Sequence, residues 1–260
     1  MPNIHYIDGE FVPAEAARVP AGDLAVTRGY GVFDYLRTYG GRAFHLDTHL
    51  ARLEQSAQML DLTLPHPPAV IGDIVQEALA RSANGSSGDF GARIVVTGGD
   101  SLDGLLPNGS SRLLVLVSPL KRGPDEWFTQ GVKIVTNHDE RYMPEAKTIN
   151  YIPAILALRR AKAAGAVDAI YVDRAGCALE GTTTNLFAFF GDTLVTPGGG
   201  ILAGVTRQVA LELADGRFRV EQRDLPLDEL LRADEVFLTS TTKQVCPVRF
   251  IDDHLVGAPG

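Results

Sequence analysis

The segment SPLKRGPDE, at residues 118–126, constrains most strongly how this chain of 260 residues can fold. Proline and glycine interrupt regular structure, and the segment offers little apolar surface for packing. We therefore predict a linker at 119–126 between a small N-terminal domain at 1–118 and a large domain at 127–260. A composition of 45% hydrophobic and 22% charged residues supplies a sizeable core and excludes a disordered chain.

The part before this segment is predicted to form a layer of strands and helices. Residues Ile4 to Val12 alternate around Asp8-Gly9, which favours a β-hairpin with a type I′ turn. Apolar residues from Leu46 to Leu60 repeat at helical spacing, and we expect Asp47 to cap this helix. The remaining predicted elements are a helix near 70–79, a hairpin around 40–41, and strands at 32–38, 92–97 and 112–117.

The part after the segment is predicted to contain more strands than helices. One helix begins near residue 152 and ends at Gly165, and another opens after Gly204. The predicted strands lie at 132–136, 168–172, 177–180, 185–190, 193–196 and 235–239. The pattern of both parts indicates an α+β fold.

Charge and cysteine content restrict the partners of the chain. Its 24 Lys and Arg against 32 Asp and Glu give a net charge of −8, which disfavours a nucleic-acid partner and favours a small molecule. The two cysteines and the six scattered histidines fit neither a disulfide scaffold nor a metal site, so we expect no metal and a cytoplasmic protein. No export signal or apolar run of about 18 residues is present, so we expect no membrane span.

Two residues of the second part are candidates for covalent and acid-base chemistry. Lys147 lies in a short polar loop before a helix that carries Tyr151 in its first turn. A lysine attacks a carbonyl only after its amine has lost a proton, which burial favours. Glu180 ends an apolar strand and is followed by three threonines and Asn185, and a buried carboxylate needs a partner. Taken singly, a solvated lysine and an ordinary ion pair also explain these residues.

Three sets of donors are candidates for binding an anion such as phosphate. They are the helix-start amides of Val205 and Thr206 after Gly204, the hydroxyls of Ser240, Thr241 and Thr242, and the guanidinium of Arg52. The first set is favoured because a helix dipole attracts an anion to the N-terminus. Taken singly, the three sets are also typical of a helix cap, a polar turn and a solvated arginine.

Five motifs, in order along the chain, resemble the class IV, or fold type IV, pyridoxal phosphate-dependent aminotransferases. This family includes the D-amino-acid and the branched-chain aminotransferases. The motifs are VFDYLRTYGG with HLDTHLARLEQSA, then KTINY, DAIYVDRAGCALEGTTTNLF, GVTRQV and FLTSTT. The resemblance implies a two-domain fold, with a smaller N-terminal α/β domain and a larger strand-rich pseudobarrel domain that binds the cofactor.

The resemblance also implies roles for the matched residues. Lys147 is expected to form the Schiff base with pyridoxal 5′-phosphate (PLP), Glu180 to pair with the protonated pyridine nitrogen, and Tyr151 to hydrogen-bond the phenolic oxygen. The other expected cofactor-binding residues are Arg52, Val205, Thr206 and Thr241 at the phosphate, together with Asn185. The expected reaction is a ping-pong exchange of an amino group between an amino acid and a 2-oxo acid, catalysed by a homodimer.

Departures from the family pattern bear on the substrate. Arg28 stands where many relatives have a tyrosine, and Arg93 falls where the family often has another arginine. Gly91 replaces an aromatic residue that is common two positions before that arginine. Because two guanidinium groups can grip a carboxylate bidentately, we expect Arg28 and Arg93, with Thr242, to bind substrate carboxylates. By the resemblance, Arg28 acts across the dimer interface.

The arginine pair favours a D-amino-acid aminotransferase that uses a donor such as D-alanine or D-glutamate. The alternatives are a branched-chain L-amino-acid aminotransferase, an (R)-amine transaminase, and an aminodeoxychorismate lyase that shares the cofactor motifs. A catalytically silent scaffold protein with the same fold is disfavoured because Lys147 and Glu180 are both present. The alternative for the arginine pair is a structural salt bridge to Asp23 or Asp34, which would leave no arginine clamp for the substrate. Relatives usually continue beyond DDHLVGAPG into a final helix, which is expected to pack on the larger domain.

Overall fold

The computed structural model describes residues 3–83 and 88–257, and the chain divides into two compact units. The first unit comprises Met1–Lys121 and Ala146–Asn150, and the second comprises Arg122–Glu145 and Tyr151–Gly260. Lys147 therefore packs with the first unit, although the chain on both sides of it belongs to the second.

The first unit contains a six-stranded antiparallel sheet. Its strands are β1 (Ile4–Ile7), β2 (Glu10–Pro13), β3 (Gly31–Tyr39), β4 (Arg42–Ala43), β5 (Phe90–Thr97) and β6 (Arg112–Pro119). They are arranged in the order β2-β1-β6-β5-β3-β4. The predicted hairpin of β1 and β2 is confirmed, and Asp8 and Gly9 both have positive φ angles, as a type I′ turn requires.

Helices cover one face of this sheet. The helices of the unit are α1 (Leu24–Arg28), α2 (Leu46–Met59) and α3 (Pro68–Ala83), with a single 3-10 turn at Ala14–Ala16. The predicted apolar stripe of α2 is buried through Leu50 and Leu53, which pack in the core with Val32 and Leu36 of β3. The prediction that Asp47 caps α2 is wrong, because the helix already begins at Leu46, after His45 with its left-handed φ of 47°.

The other face of the sheet, which we call the second face, carries the alternate residues of the strands. Because strand side chains alternate, the neighbours of Val32 and Leu36 on this face are Phe33, Tyr35 and Arg37. In the register of β3 with β5, Tyr35 lies opposite Arg93 and Arg37 lies opposite Gly91. The second face thus combines aromatic rings with guanidinium groups.

The second unit contains nine strands and four helices among its described residues. The strands are β7 (Val132–Asn137), β8 (Asp168–Val172), β9 (Ala178–Gly181), β10 (Asn185–Phe190), β11 (Thr193–Thr196), β12 (Arg219–Gln222), β13 (Glu235–Ser240), β14 (Gln244–Ile251) and β15 (His254–Leu255). The helices are α4 (Glu126–Thr129), α5 (Ile152–Ala163), α6 (Val205–Ala214) and α7 (Leu227–Leu230).

The sheet of the second unit closes on itself. The strand order is β12-β11-β10-β13-β14-β7-β8-β9, and β9 also pairs with β10, so the strands from β10 to β9 form a ring. Ile134, Ile170, Leu186 and Leu238 fill the core of this unit. The α+β organisation expected above, a smaller α/β unit followed by a larger strand-rich unit with a barrel-like sheet, is confirmed.

Candidate active site

The first unit fixes the backbone of Lys147 from two sides. Its amide nitrogen donates a hydrogen bond to Ser56 Oγ of α2 at 3.1 Å, and its carbonyl oxygen accepts one from the amide of Phe33 at 2.9 Å. The side chain is half-buried, and Nζ lies 4.8 Å from the centre of the Phe33 ring. The amine of Lys147 is therefore held against the second face of the sheet.

Arg52 is held by a buried carboxylate, Asp34. The Nε of Arg52 donates to Asp34 Oδ2 and its Nη2 to Oδ1, both at 2.8 Å, and His49 Nδ1 lies 2.6 Å from Oδ1. Burial alone raises the pKa of Asp34, but the charge of Arg52 and the hydrogen bonds from His49 and Arg52 outweigh it, so this pKa stays well below its usual range. The ionised Asp34 thereby fixes the plane of the Arg52 guanidinium.

His49 completes this cluster as a neutral ring. Burial lowers the pKa of His49, against the hydrogen bond and the charge of Asp34, which raise it. A neutral His49 donates its Nδ1 proton to Asp34. The sequence analysis placed neither Asp34 nor His49 in the site, although the shared helical face of His49 and Arg52 was a usable signal.

Arg93, like Lys147, contacts the Phe33 ring of the second face. The Arg93 guanidinium carbon is 5.0 Å from the centre of the Phe33 ring that also carries the Lys147 amine. Within residues 3–83 and 88–257, no carboxylate lies within salt-bridge distance of Arg93. A side chain that is cationic, exposed and without an acidic partner is suited to a substrate carboxylate.

Arg28 lies at the exposed end of α1. Its Nη1 donates to the carbonyl of Thr27 at 2.8 Å. The alternative of a salt bridge to Asp23 or Asp34 does not occur, because Asp23 pairs with Arg112 and Asp34 pairs with Arg52. Both carboxylates thus already have an arginine as their positively charged partner.

In the second unit, Glu180 lies where β9 meets β10. It is 3% exposed and stands opposite Asn185 in the strand register. One carboxylate oxygen accepts from Asn185 Nδ2 at 3.2 Å and from the Leu202 amide at 3.1 Å, and the other accepts from Arg141 Nη1 at 2.5 Å. The required partner of this carboxylate is therefore Arg141, which the sequence analysis missed because it belongs to none of the matched motifs.

The N-terminus of α6 begins next to Asn185. Gly204 is the N-cap residue, and no side chain caps the helix, so its dipole and first-turn amides, including those of Val205 and Thr206, are directed at the space before it. A Cβ atom on Gly204 would lie 2.0 Å from Asn185 Oδ1. Glycine is therefore required for the helix to start this close to the Glu180–Asn185 pair.

A buried aspartate, Asp168, joins three segments of this unit. Its Oδ1 accepts from Thr182 Oγ1 at 2.6 Å, and its Oδ2 accepts from Thr184 Oγ1 at 3.1 Å and from Lys243 Nζ at 3.3 Å. Lys243 Nζ also donates to Thr183 Oγ1 at 3.0 Å. We call Asp168, Thr182, Thr183, Thr184 and Lys243 the aspartate cluster.

The aspartate cluster links strand β8 to two turns that carry predicted site residues. One turn follows Glu180, and the other, at Thr241 and Thr242, follows β13 and is closed by the Lys243 amide on Ser240 Oγ at 3.0 Å. Asp168 and Lys243 are not among the predicted site residues, because they are 75 positions apart and no local pattern joins them. The turns are thus fixed relative to each other by an ion pair.

Two buried hydroxyls of the second unit have no hydrogen-bond partner among the described residues. They belong to Tyr171 and to Thr239, and Thr239 is opposite Asn185 in the sheet. Burial raises the pKa of Tyr171 to about 12. The charge of Arg141 lowers this pKa, whereas the charges of Glu180 and Tyr151 raise it. Tyr151 itself is the N-cap residue of α5 and is half-buried. The hydroxyls and the amides of the uncapped helix supply hydrogen-bond donors, and the Glu180 carboxylate supplies an acceptor for a protonated ring nitrogen, so these groups together fit PLP.

The structure therefore gathers the predicted residues in two groups. The first unit holds Lys147, Arg52, Arg93 and Arg28, and the second holds Tyr151, Glu180, Asn185, Val205, Thr206, Thr241 and Thr242. In the part of the chain that the structure describes, no group of three or more His, Cys, Asp or Glu could hold a metal ion, and no helix is long and apolar enough to span a membrane.

Comparisons with known proteins give the family. The family described as Amino-transferase class IV matches residues 31–251, and the chain belongs to this family of aminotransferases. Its cofactor is accordingly PLP, which cycles with pyridoxamine phosphate while an amino group passes between amino acids and 2-oxo acids.

Similar proteins include more than one kind of aminotransferase. The D-alanine aminotransferase of Bacillus licheniformis is 30% identical over 97% of this chain and 90% of its own. The branched-chain-amino-acid aminotransferase of Pseudomonas aeruginosa is 29% identical over 97% of this chain and 86% of its own. The crystal structure of a branched-chain aminotransferase from Thermoproteus uzoniensis with norvaline has a TM-score of 0.88 and 27% identity, and covers 99% of this chain and 90% of that one.

Proposed function

We propose that this aminotransferase takes the amino group of a D-amino acid, such as D-alanine or D-glutamate, and passes it to a 2-oxo acid by a ping-pong mechanism. The observation that carries the proposal is that Lys147 Nζ and the Arg93 guanidinium share the Phe33 ring, at 4.8 Å and 5.0 Å from its centre. We expect a substrate whose carboxylate is bound by Arg93 to present its α-carbon to Lys147.

In this proposal Lys147 would hold the cofactor through its Nζ and, once the substrate amine had displaced that Nζ, would move the proton. When bound, PLP supplies the electron sink. The released Lys147 Nζ would take the proton from the substrate α-carbon and return it at the neighbouring carbon, acting as both general base and general acid. Its backbone hydrogen bonds to Ser56 and Phe33 keep the amine in position during the transfer.

Glu180 holds a proton at the pyridine nitrogen. A carboxylate can do so only while it is ionised, and the Arg141 ion pair together with the Leu202 amide supports that state. Asn185 fixes the orientation of the carboxylate, and Tyr151 donates a hydrogen bond to the phenolic oxygen of the cofactor.

The phosphate is bound by Arg52, the amides of Val205 and Thr206, and Thr241. Arg52 can bind it because the ion pair to Asp34 already fixes its guanidinium plane. On the substrate, Arg93 and Thr242 bind carboxylate from the same subunit, and Arg28 does so from the second subunit of a homodimer. The exposed position of Arg28 at the end of α1 supports a role across an interface. The low cysteine content supports a cytoplasmic location.

The second candidate is a branched-chain L-amino-acid aminotransferase, since relatives described as branched-chain aminotransferases match this chain as closely as the D-alanine aminotransferases do. A half-reaction screen separates the two. D-alanine, D-glutamate, L-leucine, L-glutamate and an (R)-amine are added separately to the PLP form, and conversion of the cofactor spectrum is followed. We expect conversion by the D-amino acids. Conversion by L-leucine and by no D-amino acid would overturn the proposal, and conversion by the (R)-amine alone would identify an amine transaminase.

The role of Lys147 is tested separately. Borohydride reduction of the yellow protein should place a cofactor mass on Lys147, and Lys147→Ala should lower kcat by about 10²–10⁴-fold, the range typical for a general base. The exposed Lys162→Ala in α5 is the matched control. A colourless protein that ignores added PLP would support a scaffold, and pyruvate release from aminodeoxychorismate without an oxo-acid acceptor would support a lyase.

A further inference from the structure

On the second face of the first unit, the ring of Tyr35 occupies the space above Gly91. A Cβ atom on Gly91 would lie 1.9 Å from the Tyr35 hydroxyl oxygen and 2.6 Å from Cζ, far inside van der Waals contact. The strand register explains this approach, because Tyr35 pairs with Arg93 and its ring leans diagonally towards the residue two positions earlier. Only glycine at position 91 allows Tyr35 to lie there.

Two guanidinium groups neighbour Tyr35 on this face of the sheet. Arg93 is 5.5 Å from the centre of the Tyr35 ring, and Arg37, opposite Gly91, stacks on Tyr39 at 4.1 Å. Arg37 is only 8% exposed, and among the described residues no carboxylate is within salt-bridge distance of it. A guanidinium that is largely buried without an acid favours an anion beside it.

The state of the phenol fits this environment. Burial raises the pKa of Tyr35, against the charges of Arg93 and Arg37, which lower it, so the hydroxyl remains protonated at neutral pH. A protonated hydroxyl donates a hydrogen bond to a carboxylate, as the two arginines also do.

Tyr35 also borders the reaction centre. It lies two residues after Phe33 on the same strand face, and the Phe33 ring carries the Lys147 amine at 4.8 Å. A substrate that extends from Lys147 along this face meets the Tyr35 ring before it meets the Gly91 backbone.

We infer that Tyr35 is a specificity-determining residue: its ring over Gly91 excludes branched and aromatic substrate side chains, and its hydroxyl, on the face that also carries Arg93 and Arg37, favours side chains that are short or end in a carboxylate. The inference rests on the proposed transamination at Lys147. It is independent of whether the substrate is a D- or an L-amino acid.

The test compares kcat/KM for alanine, glutamate and leucine, each in the enantiomer that the holoenzyme uses. Tyr35→Phe keeps the ring and removes the donor, so we expect about a tenfold loss for glutamate and less than about a twofold change for alanine, in line with hydrogen bonds to charged groups. Tyr35→Gly opens the space, so leucine should improve relative to alanine by about tenfold. Tyr39→Phe, on the same strand face, is the matched control. It should change neither the glutamate-to-alanine nor the leucine-to-alanine ratio of kcat/KM.

Two results would overturn the inference. The first is that the ratio of kcat/KM for leucine to that for alanine stays within about twofold of the wild-type ratio in Tyr35→Gly. The second is that Tyr35→Phe loses kcat/KM equally for alanine and glutamate. Failure of the proposed function is distinct, because the wild-type cofactor spectrum would then respond to no amino acid. In that case the holoenzyme is titrated with glutarate and with 4-methylpentanoate. Weaker binding of glutarate alone in Tyr35→Phe supports the inference, and an equal effect on both acids overturns it.

Discussion

At the scale of single residues, Asp34 determines how Arg52 is presented. Its two oxygens are shared between Arg52 and His49, and all three side chains are buried. A carboxylate removed from water is stable as an anion only with such partners. The motif around Asp34 and the helix of Arg52 were both noticed in the sequence, but their pairing depends on how α2 packs against β3.

Replacing Asp34 by asparagine should destabilise the protein at neutral pH. The Asp34→Asn variant leaves the Arg52 charge without its buried partner, so we expect the free energy of unfolding to fall by about 3–5 kcal/mol. Urea denaturation measures the loss, with the exposed Asp73→Asn of α3 as control. If the free energy of unfolding falls no more than in the control, the ion pair of Asp34 and Arg52 contributes nothing to stability.

The same ion pair predicts a pH dependence of stability. The folded-state pKa of Asp34 lies well below its unfolded value of about 3.9, so its stabilising effect is complete above that value and is lost as the pH falls towards the folded-state pKa. The difference in unfolding free energy between the wild type and Asp34→Asn should therefore shrink from pH 5 downwards. A difference that stays constant to pH 2 would contradict this assignment.

At the scale of structural elements, most candidate residues of the second unit lie at the ends of strands and helices, and buried contacts hold these ends in place. The turn after β9 and the turn after β13 meet through Asp168 and Lys243. The helix α6 starts beside Asn185 because Gly204 has no side chain. These elements were predicted from local pattern, whereas the contacts that fix them join residues distant in sequence.

A double-mutant cycle tests the connection between the two turns. We expect Asp168→Asn and Lys243→Met each to lower the unfolding free energy, and their effects to be non-additive by about 1–3 kcal/mol because they share one buried contact. The exposed pair Asp228→Asn and Arg232→Met should be additive within about 0.5 kcal/mol. Additivity in both cycles would refute the role of the aspartate cluster.

Adding a methyl group at the start of α6 tests the predicted phosphate site. Gly204→Ala forces Asn185 and the helix apart, and overpacking of this kind costs about 1–3 kcal/mol, so the apparent Kd of PLP should rise about tenfold. Gly199→Ala in the same loop is the control, since nothing lies within 4 Å of its Cβ position. Equal PLP affinity of the two variants, measured by fluorescence titration, would argue against the site.

At the scale of the whole molecule, the candidate residues are distributed over two compact units, and Lys147 belongs to the first of them. The chain crosses between the units before and after the segment Ala146–Asn150. The first unit binds this segment through Ser56 and Phe33, and these two hydrogen bonds fix the backbone of Lys147.

The proposed homodimer predicts complementation between inactive subunits. If Arg28 acts across the interface, a mixed dimer of Arg28→Ala and Lys147→Ala subunits contains one intact site, and random mixing restores roughly a quarter of all sites. Activity after co-refolding should therefore exceed the mean of the two variants. A monomeric protein with full activity, shown by light scattering, would exclude the arrangement, as would the absence of complementation.

The sequence by itself determined the type and order of the elements and the motifs of the family. The apolar run of β10, the helical spacing in α2 and the glycine before α6 are local properties, and they predicted these elements correctly apart from the cap of α2. Lys147 and Glu180 were recognised because their motifs are contiguous.

Only the tertiary structure decided which side chains serve these residues. Arg141 meets Glu180 across 39 positions, Lys243 meets Asp168 across 75, and Tyr35 lies over Gly91. Each contact depends on strand register, on the closure of the ring between β9 and β10, or on the packing of a helix against a sheet. The physical reason is that local propensity is set by neighbours in sequence, whereas buried charges and close packing are satisfied by whatever residues the fold brings within a few ångströms.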